Sequence, residues 1–224
     1  FEITREEMIK DVDAVLTTRE LAKMIKQAGI DFKSLPDSSF DNPMGASTGA
    51  ADIFAATGGV MEAALRTVYE VVTGKELPLK NLHVKPIMGL DSFKETSLKI
   101  EGTLPEYHFL EGVTVNVAVG SGLKSARILL EQVKEGKSPY HFIEIMCCPG
   151  GCINGGGQPR SDDPEIRKKR MKAIYREDEG KEIRKSHDNP YIQKLYGEFL
   201  GKPLGEKSHH LLHTHYTKRK RYGK

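Results

Sequence analysis

Cysteine is scarce in this sequence. Three occur in 224 residues, and Cys147, Cys148 and Cys152 all fall within six positions. A disulfide framework would spread its cysteines along the chain, so this clustering points to a reducing compartment and to a metal or redox role. Long hydrophobic runs are missing too. No stretch of about 18 apolar residues occurs, and the start of the chain has neither a basic segment nor a signal-type apolar one, so the expectation is a soluble, non-exported, cytoplasmic protein without a membrane span. Nor does one sign of charge dominate: a formal net charge of +3 is too small to argue for nucleic acid. Lys218, Arg219, Lys220, Arg221 and Lys224 concentrate positive charge at the end, where such a tail is usually solvated and frayed. Internal repeats and low-complexity segments are absent.

What is present is an ordinary globular composition, 38% hydrophobic and 29% charged, long enough for one domain with a sizeable core. The first residue is Phe1 rather than methionine, which suggests a start inside a longer gene product, or processing. Val12 to Leu16 reads as a short strand. Thr17-Thr18-Arg19-Glu20 then opens an amphipathic helix through Leu21, Met24 and Ile25 that stops at Gly29. Asp31 to Ala51, with Pro36, Asp41-Asn42-Pro43 and Gly45, reads as a long loop of the kind that is usually functional. A helix from about Gly59 to Val72 should pack Val60, Ala64, Leu65, Val68 and Val72 into the core and end at Gly74. Strands are expected at Leu82 to Pro86, Ser97 to Glu101 and Val113 to Val119, the last leading through Gly120-Ser121-Gly122 into a helix that ends near Gly136. Phe142 to Met146 makes a further buried strand, and polar helices at about Pro164 to Glu179 and Pro190 to Leu200 close the chain. The expected class is α/β with a mainly parallel sheet flanked by helices.

The sharpest feature is Glu144-Ile145-Met146-Cys147-Cys148-Pro149-Gly150-Gly151-Cys152-Ile153-Asn154-Gly155-Gly156-Gly157-Gln158-Pro159. Thiolates are the usual ligands of iron-sulfur clusters, and a Cys-x3-Cys spacing lets two sulfurs of one loop reach neighbouring corners of a cluster. The glycines let backbone approach a bulky inorganic ligand and point N–H groups at anionic atoms. The bland alternative is a buried turn with inert cysteines, which needs no such concentration of glycine. A zinc site would need a second ligand pair at zinc-finger spacing, and none stands nearby.

This segment resembles the third signature motif of FeFe (iron-only) hydrogenases, approximately E-x-M-A-C-x-x-G-C-x-x-G-G-G-Q-P. In that family four cysteines hold a 4Fe-4S cubane, and one of them also bridges to a di-iron subcluster carrying CO and CN ligands, the whole forming the H-cluster. The resemblance implies that Cys148 is a cubane ligand and Cys152 the bridging one, that Met146 lines the di-iron pocket, and that Gly151, Gly155 and Gly156 border the cluster. Cys147 stands where the family usually has alanine and reads as a spectator thiol. A second segment, Ile53-Phe54-Ala55-Ala56-Thr57-Gly58-Gly59-Val60-Met61-Glu62, is similar to the family's glycine-rich entry to a helix. It places Phe54, Ala55 and Val60 beside the di-iron ligands, and Ala55 is commonly glycine there. By the same resemblance the helix N-terminus offers its positive dipole to cyanide-bearing iron. Weaker echoes are Val12 to Leu21 and Ser208 to Tyr216.

The resemblance spans nearly the whole chain and identifies it as the C-terminal part of an H-cluster domain, with residues 160–224 a helical extension and basic tail. The family's other two cubane cysteines, its proton-relay cysteine and its cyanide-gripping lysine are expected before Phe1. The implied activity is reversible oxidation of H2, with ferredoxin or an NAD(P)-linked electron-transfer subunit as partner. The fragment alone is expected to be inactive. The alternatives are a Nar1-like iron-sulfur assembly protein and a sensory hydrogenase homologue. His209 and His213, spaced i, i+4, could bind a divalent metal on a helix, or could simply lie on the surface while Leu211 and Leu212 pack. The charged stretch from Arg167 to Lys185 reads as a solvated helix surface that could also receive an acidic ferredoxin.

Overall fold

The structure, a computed structural model, describes residues 12–39, 46–77, 93–163 and 165–213. The first helix, α1 (Thr18–Gln27), begins with the capping box its sequence announces: the Thr17 hydroxyl accepts from the Glu20 amide, and the Glu20 carboxylate accepts from the Thr17 amide at 2.8 Å. None of its residues is buried. Val12 to Leu16, expected as a strand, pairs with no strand among the described residues, and Val12, Val15 and Leu16 are exposed. An apolar extended segment without a ladder partner cannot satisfy its amides as a strand does. The loop after α1 holds one 3-10 turn (Phe32–Ser34); its residues 40–45 lie outside the described residues, and it closes in a short helix, α2 (Gly49–Asp52), capped by Thr48.

Helix α3 (Gly59–Thr73) stops at a left-handed Gly74, as its sequence predicts. Its buried side is turned from the expected one. Leu65 and Val72 are inside, but they share that side with Met61, Glu62 and Arg66, while Val68 is 49% exposed and Val60 and Ala64 are half-buried. The apolar residues of α3 therefore form two stripes, and the sheet covers only one.

That sheet has the order β1-β2-β3. Strand β1 (Phe93–Lys99) runs antiparallel to β2 (Thr114–Ser121), and β2 runs parallel to β3 (Phe142–Met146), so the sheet is mixed rather than mainly parallel. The expected strand at Leu82 to Pro86 lies outside the described residues. β2 is the centre, with Val117, Ala118 and Val119 all at 2% exposure or less. It passes through Gly122 (φ +80°) into α4 (Gly122–Lys134) and on to β3, the β-turn-α unit its pattern predicts. Met61, Leu65 and Leu77 pack on Val117 and Val119 to form one core cluster.

The C-terminal helices α5 (Ile166–Gly180), α6 (Pro190–Leu195, continued by a wider π turn over Tyr196–Leu200) and α7 (Glu206–Leu212) follow. Met171 and Tyr175 of α5 complete a second cluster with Ala50, Ile53, Ala56, Ala63 and Ile153. Charge is buried at the same junction. Arg66 donates to Asp178 Oδ1 and Oδ2 at 2.7 and 2.8 Å, to Glu62 Oε1 at 2.7 Å and to the Arg184 carbonyl at 2.9 Å. Arg184 Nη2 closes on Asp178 at 2.6 Å, and the Tyr175 hydroxyl donates to Glu62 at 3.0 Å. Burial alone would raise the Asp178 carboxyl, but Arg66 and Arg184 more than offset that and hold it below the ordinary Asp range. A Cβ on Gly49 would lie 2.0 Å from Asp178 Oδ1, so α2 seals the junction only because it presents a glycine.

Candidate metal-cluster site

Strand β3 delivers the cysteines. Two residues before Met146, its single acidic side chain, Glu144, points inward at 6% exposure. Its Oε1 accepts from the Gly58 amide and its Oε2 from the Met61 amide, both at 2.7 Å. These are the cap and third-position donors of α3, whose own cap residue is a glycine without a side chain. Glu144 thus supplies from 86 residues away the acceptor that a local Ser or Asp normally provides. Burial raises its carboxyl pKa, and the two amide bonds offset part of that rise. The N-terminus of α3, expected to turn its positive end toward cyanide-bearing iron, has these two donors engaged by Glu144.

After β3 the chain turns left-handed twice, at Gly150 (φ +87°) and Gly151 (φ +89°). The turn sets the loop against the second motif. The Thr57 amide donates to the Gly150 carbonyl at 3.1 Å, and a Cβ on Gly151 would stand 2.7 Å from both the Ala55 carbonyl oxygen and the Thr57 nitrogen. Only glycine permits that approach. A short 3-10 turn (Cys152–Asn154) follows, anchored in the core by Ile153 at 5% exposure.

Two further elements grip the loop by its carbonyls. Arg19 of α1 donates through Nη2 to the Gly156 carbonyl at 2.6 Å, and its amide reaches the Gly157 carbonyl at 3.2 Å. Arg170 of α5 donates to the carbonyls of Ile153 and Pro159 at 2.9 and 2.6 Å. Sequence reasoning quoted Glu144 and Arg19 without giving them these tasks, and it missed Arg170. The signal for Glu144 was a lone acid in an apolar strand; nothing local marks the two arginines.

The structure therefore sets Gly150 and Gly151, which lie between Cys148 and Cys152 in the chain, against Ala55 to Thr57. Cys147 and Cys152 are exposed, Cys148 is half-buried, and all three are free thiols. Met146, Ala55 and Val60 are half-buried, and Phe54 is exposed. Gly155 is half-buried and Gly156 exposed. The Thr57 hydroxyl, within the loop's contact, is buried without a hydrogen-bond partner. Soft thiols on a glycine-lined loop beside an unsatisfied hydroxyl fit the ligation of an iron-sulfur cluster. Among the described residues, however, no further His, Cys, Asp or Glu atom closes a three-ligand group with Cys148 and Cys152. The donor set suits one side of such a cluster.

Residues 1–156 match the family profile described as the iron only hydrogenase large subunit, C-terminal domain. The chain belongs to the iron-only hydrogenase large-subunit family. Residues 164–219 of this hydrogenase-family chain match a second profile, the iron hydrogenase small subunit. Relatives include the NADP-reducing hydrogenase subunit HndD of Solidesulfovibrio fructosivorans, 52% identical over 94% of this chain and 34% of that protein. Iron hydrogenase 1 of Clostridium pasteurianum is 40% identical over 97% of this chain and 38% of that protein. The chain thus spans between about a third and two fifths of the length of these curated relatives. Among solved structures, a variant of the FeFe-hydrogenase HydA1 from Chlamydomonas reinhardtii superposes with a TM-score of 0.75 at 41% identity, covering 96% of this chain and 59% of that one. More distant is the cytosolic iron-sulfur assembly component 3 of Rattus norvegicus, 29% identical over 95% of this chain and 42% of that protein. The described residues contain no helix long and apolar enough to cross a membrane.

Proposed function

We propose that the loop from Cys147 to Gly157 is one wall of an H-cluster site, in a cytoplasmic hydrogenase that reversibly oxidises H2 to protons and electrons. In this reading Cys148 and Cys152 would supply thiolates to a 4Fe-4S cubane, and Cys152 would be the one shared with a di-iron subcluster. When bound, the cluster supplies the metal centre and the redox equivalents for H2 chemistry. The chain's own residues hold and shield it. Glu144 fixes the end of β3 to α3, Arg19 and Arg170 hold the loop's carbonyls, and Gly151, Gly155 and Gly156 leave room for inorganic atoms near the backbone. Met146, Phe54, Ala55 and Val60 provide apolar cover against water. The observation that carries the reading is the docking of Gly150 and Gly151 onto Ala55 to Thr57, which joins two separately recognised motifs at the thiols.

The remaining ligands belong to protein outside this chain, so residues 1–224 are read as the C-terminal portion of the domain, with 160–224 a helical extension and basic tail. The name of the HndD relative supports an NAD(P)-linked electron partner, and ferredoxin is the other one proposed, received by the basic surface of α5. The test is infrared spectroscopy of the whole gene product made together with hydrogenase maturation enzymes. Bands of iron-bound CO and CN that shift under H2 are expected, and residues 1–224 alone should evolve no H2 after the same treatment. The second reading, an iron-sulfur assembly protein, is favoured by the 29% identity to that rat assembly component over nearly the whole chain. Absence of CO and CN bands with an ordinary iron-sulfur EPR signal would select it.

A further inference from the structure

Where the C-terminal segment meets α3, away from the cysteine loop, the carboxylates of Glu70 and Asp188 face His187, and Lys185 sits against both of them. Its Nδ1 shares a hydrogen bond with Thr67 Oγ1 at 3.1 Å, while its Nε2 is buried without a hydrogen-bond partner. Nε2 instead faces Glu70 Oε2 at 3.5 Å and Asp188 Oδ1 at 3.7 Å. Those separations are too long for hydrogen bonds. They are close to the roughly 3.3 Å between neighbouring ligand atoms around an ion with bonds of about 2.0–2.1 Å. One candidate ligand atom each from Glu70, His187 and Asp188 lies within 4.8 Å of the others. Thr67 orients the imidazole from its far side, as a supporting group does for a ligating histidine.

Charge points the same way. Lys185 Nζ sits 2.6 Å from Glu70, 3.1 Å from Asp188 and 3.3 Å from Glu76. Three carboxylates against one ammonium, with His187 neutral, leave a formal surplus of two negative charges. The nearby guanidinium of Arg184 does not offset it, being closed on Asp178. A cavity of about 80 Å³ borders both Lys185 and Glu76, so the ammonium can withdraw toward Glu76 and release Glu70 and Asp188.

We propose that Glu70, His187 and Asp188 bind a divalent first-row cation such as Mn²⁺ or Zn²⁺, in exchange with the Lys185 ammonium, and that the ion fastens the C-terminal segment to α3. The bound state is neutral: the cation balances Glu70 and Asp188, and Lys185 balances Glu76. Carboxylate and imidazole donors suit such ions, whereas the thiols of the cysteine loop bind Mn²⁺ poorly, so Mn²⁺ separates this site from that one.

The test is an EPR titration of free Mn²⁺ with the full chain, alongside thermal melting. The wild-type chain should remove one Mn²⁺ per molecule and melt higher with the ion. His187→Ala should weaken this binding at least about tenfold, while the double variant Cys148→Ser/Cys152→Ser should leave it unchanged. Lys185→Gln should tighten it about fivefold, the effect of removing a solvent-screened unit charge at about 4 Å. A gain of affinity cannot come from misfolding, so that variant guards against a collapsed His187→Ala protein. No binding by the wild-type chain, equal binding by His187→Ala, or weaker binding by Lys185→Gln each overturns the proposal.

Discussion

Removing Arg66 should unfold more of this protein's stability than any surface change. Arg66, Glu62 and Asp178 are each at 1% exposure or less, and the guanidinium makes four hydrogen bonds, three of them to carboxylate oxygens. Arg66→Met keeps much of the volume but leaves Glu62 held by the Tyr175 hydroxyl alone and Asp178 by Arg184 alone. Breaking one side of a buried ion pair costs about 3–5 kcal/mol, because a charge stays behind without its partner. With a urea dependence of about 2–3 kcal/mol per molar, the unfolding midpoint should fall by between about 1 and about 2.5 M. Acid provides the control. Asp178 is held below its ordinary 3.8, so its contribution is present above that value and is lost as pH falls through the lower folded value. The penalty of Arg66→Met should therefore shrink below about pH 4. Adding Glu62→Gln and Asp178→Asn to Arg66→Met should recover part of the loss. A midpoint shift of less than about 0.3 M, or one that grows in acid, would refute the assignment of a buried, charge-coupled junction.

The cysteine loop allows sharper contrasts. Gly151→Ala places a Cβ 2.7 Å from backbone atoms at φ +89°, and should cost at least about 2 kcal/mol and lower the iron content of the reconstituted protein. Gly156→Ala meets nothing within 4 Å and should stay within about 0.5 kcal/mol of wild type. Glu144→Ala strands the Gly58 and Met61 amides, at about 1–3 kcal/mol for each, and faster hydrogen exchange at those two amides should report it. Burial raises the Glu144 pKa above its ordinary 4.5, so the folded state retains this proton longer than the unfolded chain. The stability advantage of wild type over Glu144→Gln should be greatest below pH 4.5 and should fall as pH rises through the raised value, in urea titrations at stepped pH.

Where one stretch of chain decides the outcome, the sequence was readable. The Thr17–Glu20 capping box, the stop of α3 at Gly74 and the β2-to-α4 turn are each written within a few residues, and the structure has all three. The site was legible as a motif for the same reason: Gly150 and Gly151 sit beside Cys148 and Cys152. Partners distant in sequence were not legible. β1 runs antiparallel to β2, and its residues Lys94 to Lys99 alternate polar and apolar too weakly to show a direction. Val12 to Leu16 has strand-like residues but no neighbour among the described residues to pair with. The buried side of α3 was misjudged because Glu62 and Arg66 read as exterior residues, and the Asp178 that makes Arg66 an interior one lies 112 positions away. Arg170 escaped notice in a helix rich in basic residues, most of which, Lys168, Lys169, Lys172 and Arg176, are exposed.

The Arg66 junction bears on modularity. One family profile ends at residue 156 and the next begins at 164, which invites a cut between them. Yet Glu62 and Arg66 come from the first stretch and Tyr175, Asp178 and Arg184 from the second, and Arg170 reaches back across the gap to the Ile153 carbonyl. Severing the peptide there and leaving both pieces together preserves the neutral cluster. Deleting the second piece exposes an arginine and a glutamate that the first was never shaped to hydrate, and leaves the cysteine loop without one of its grips. A boundary between two profiles in this chain is therefore a place where the backbone can be nicked, and not a place where the protein can end.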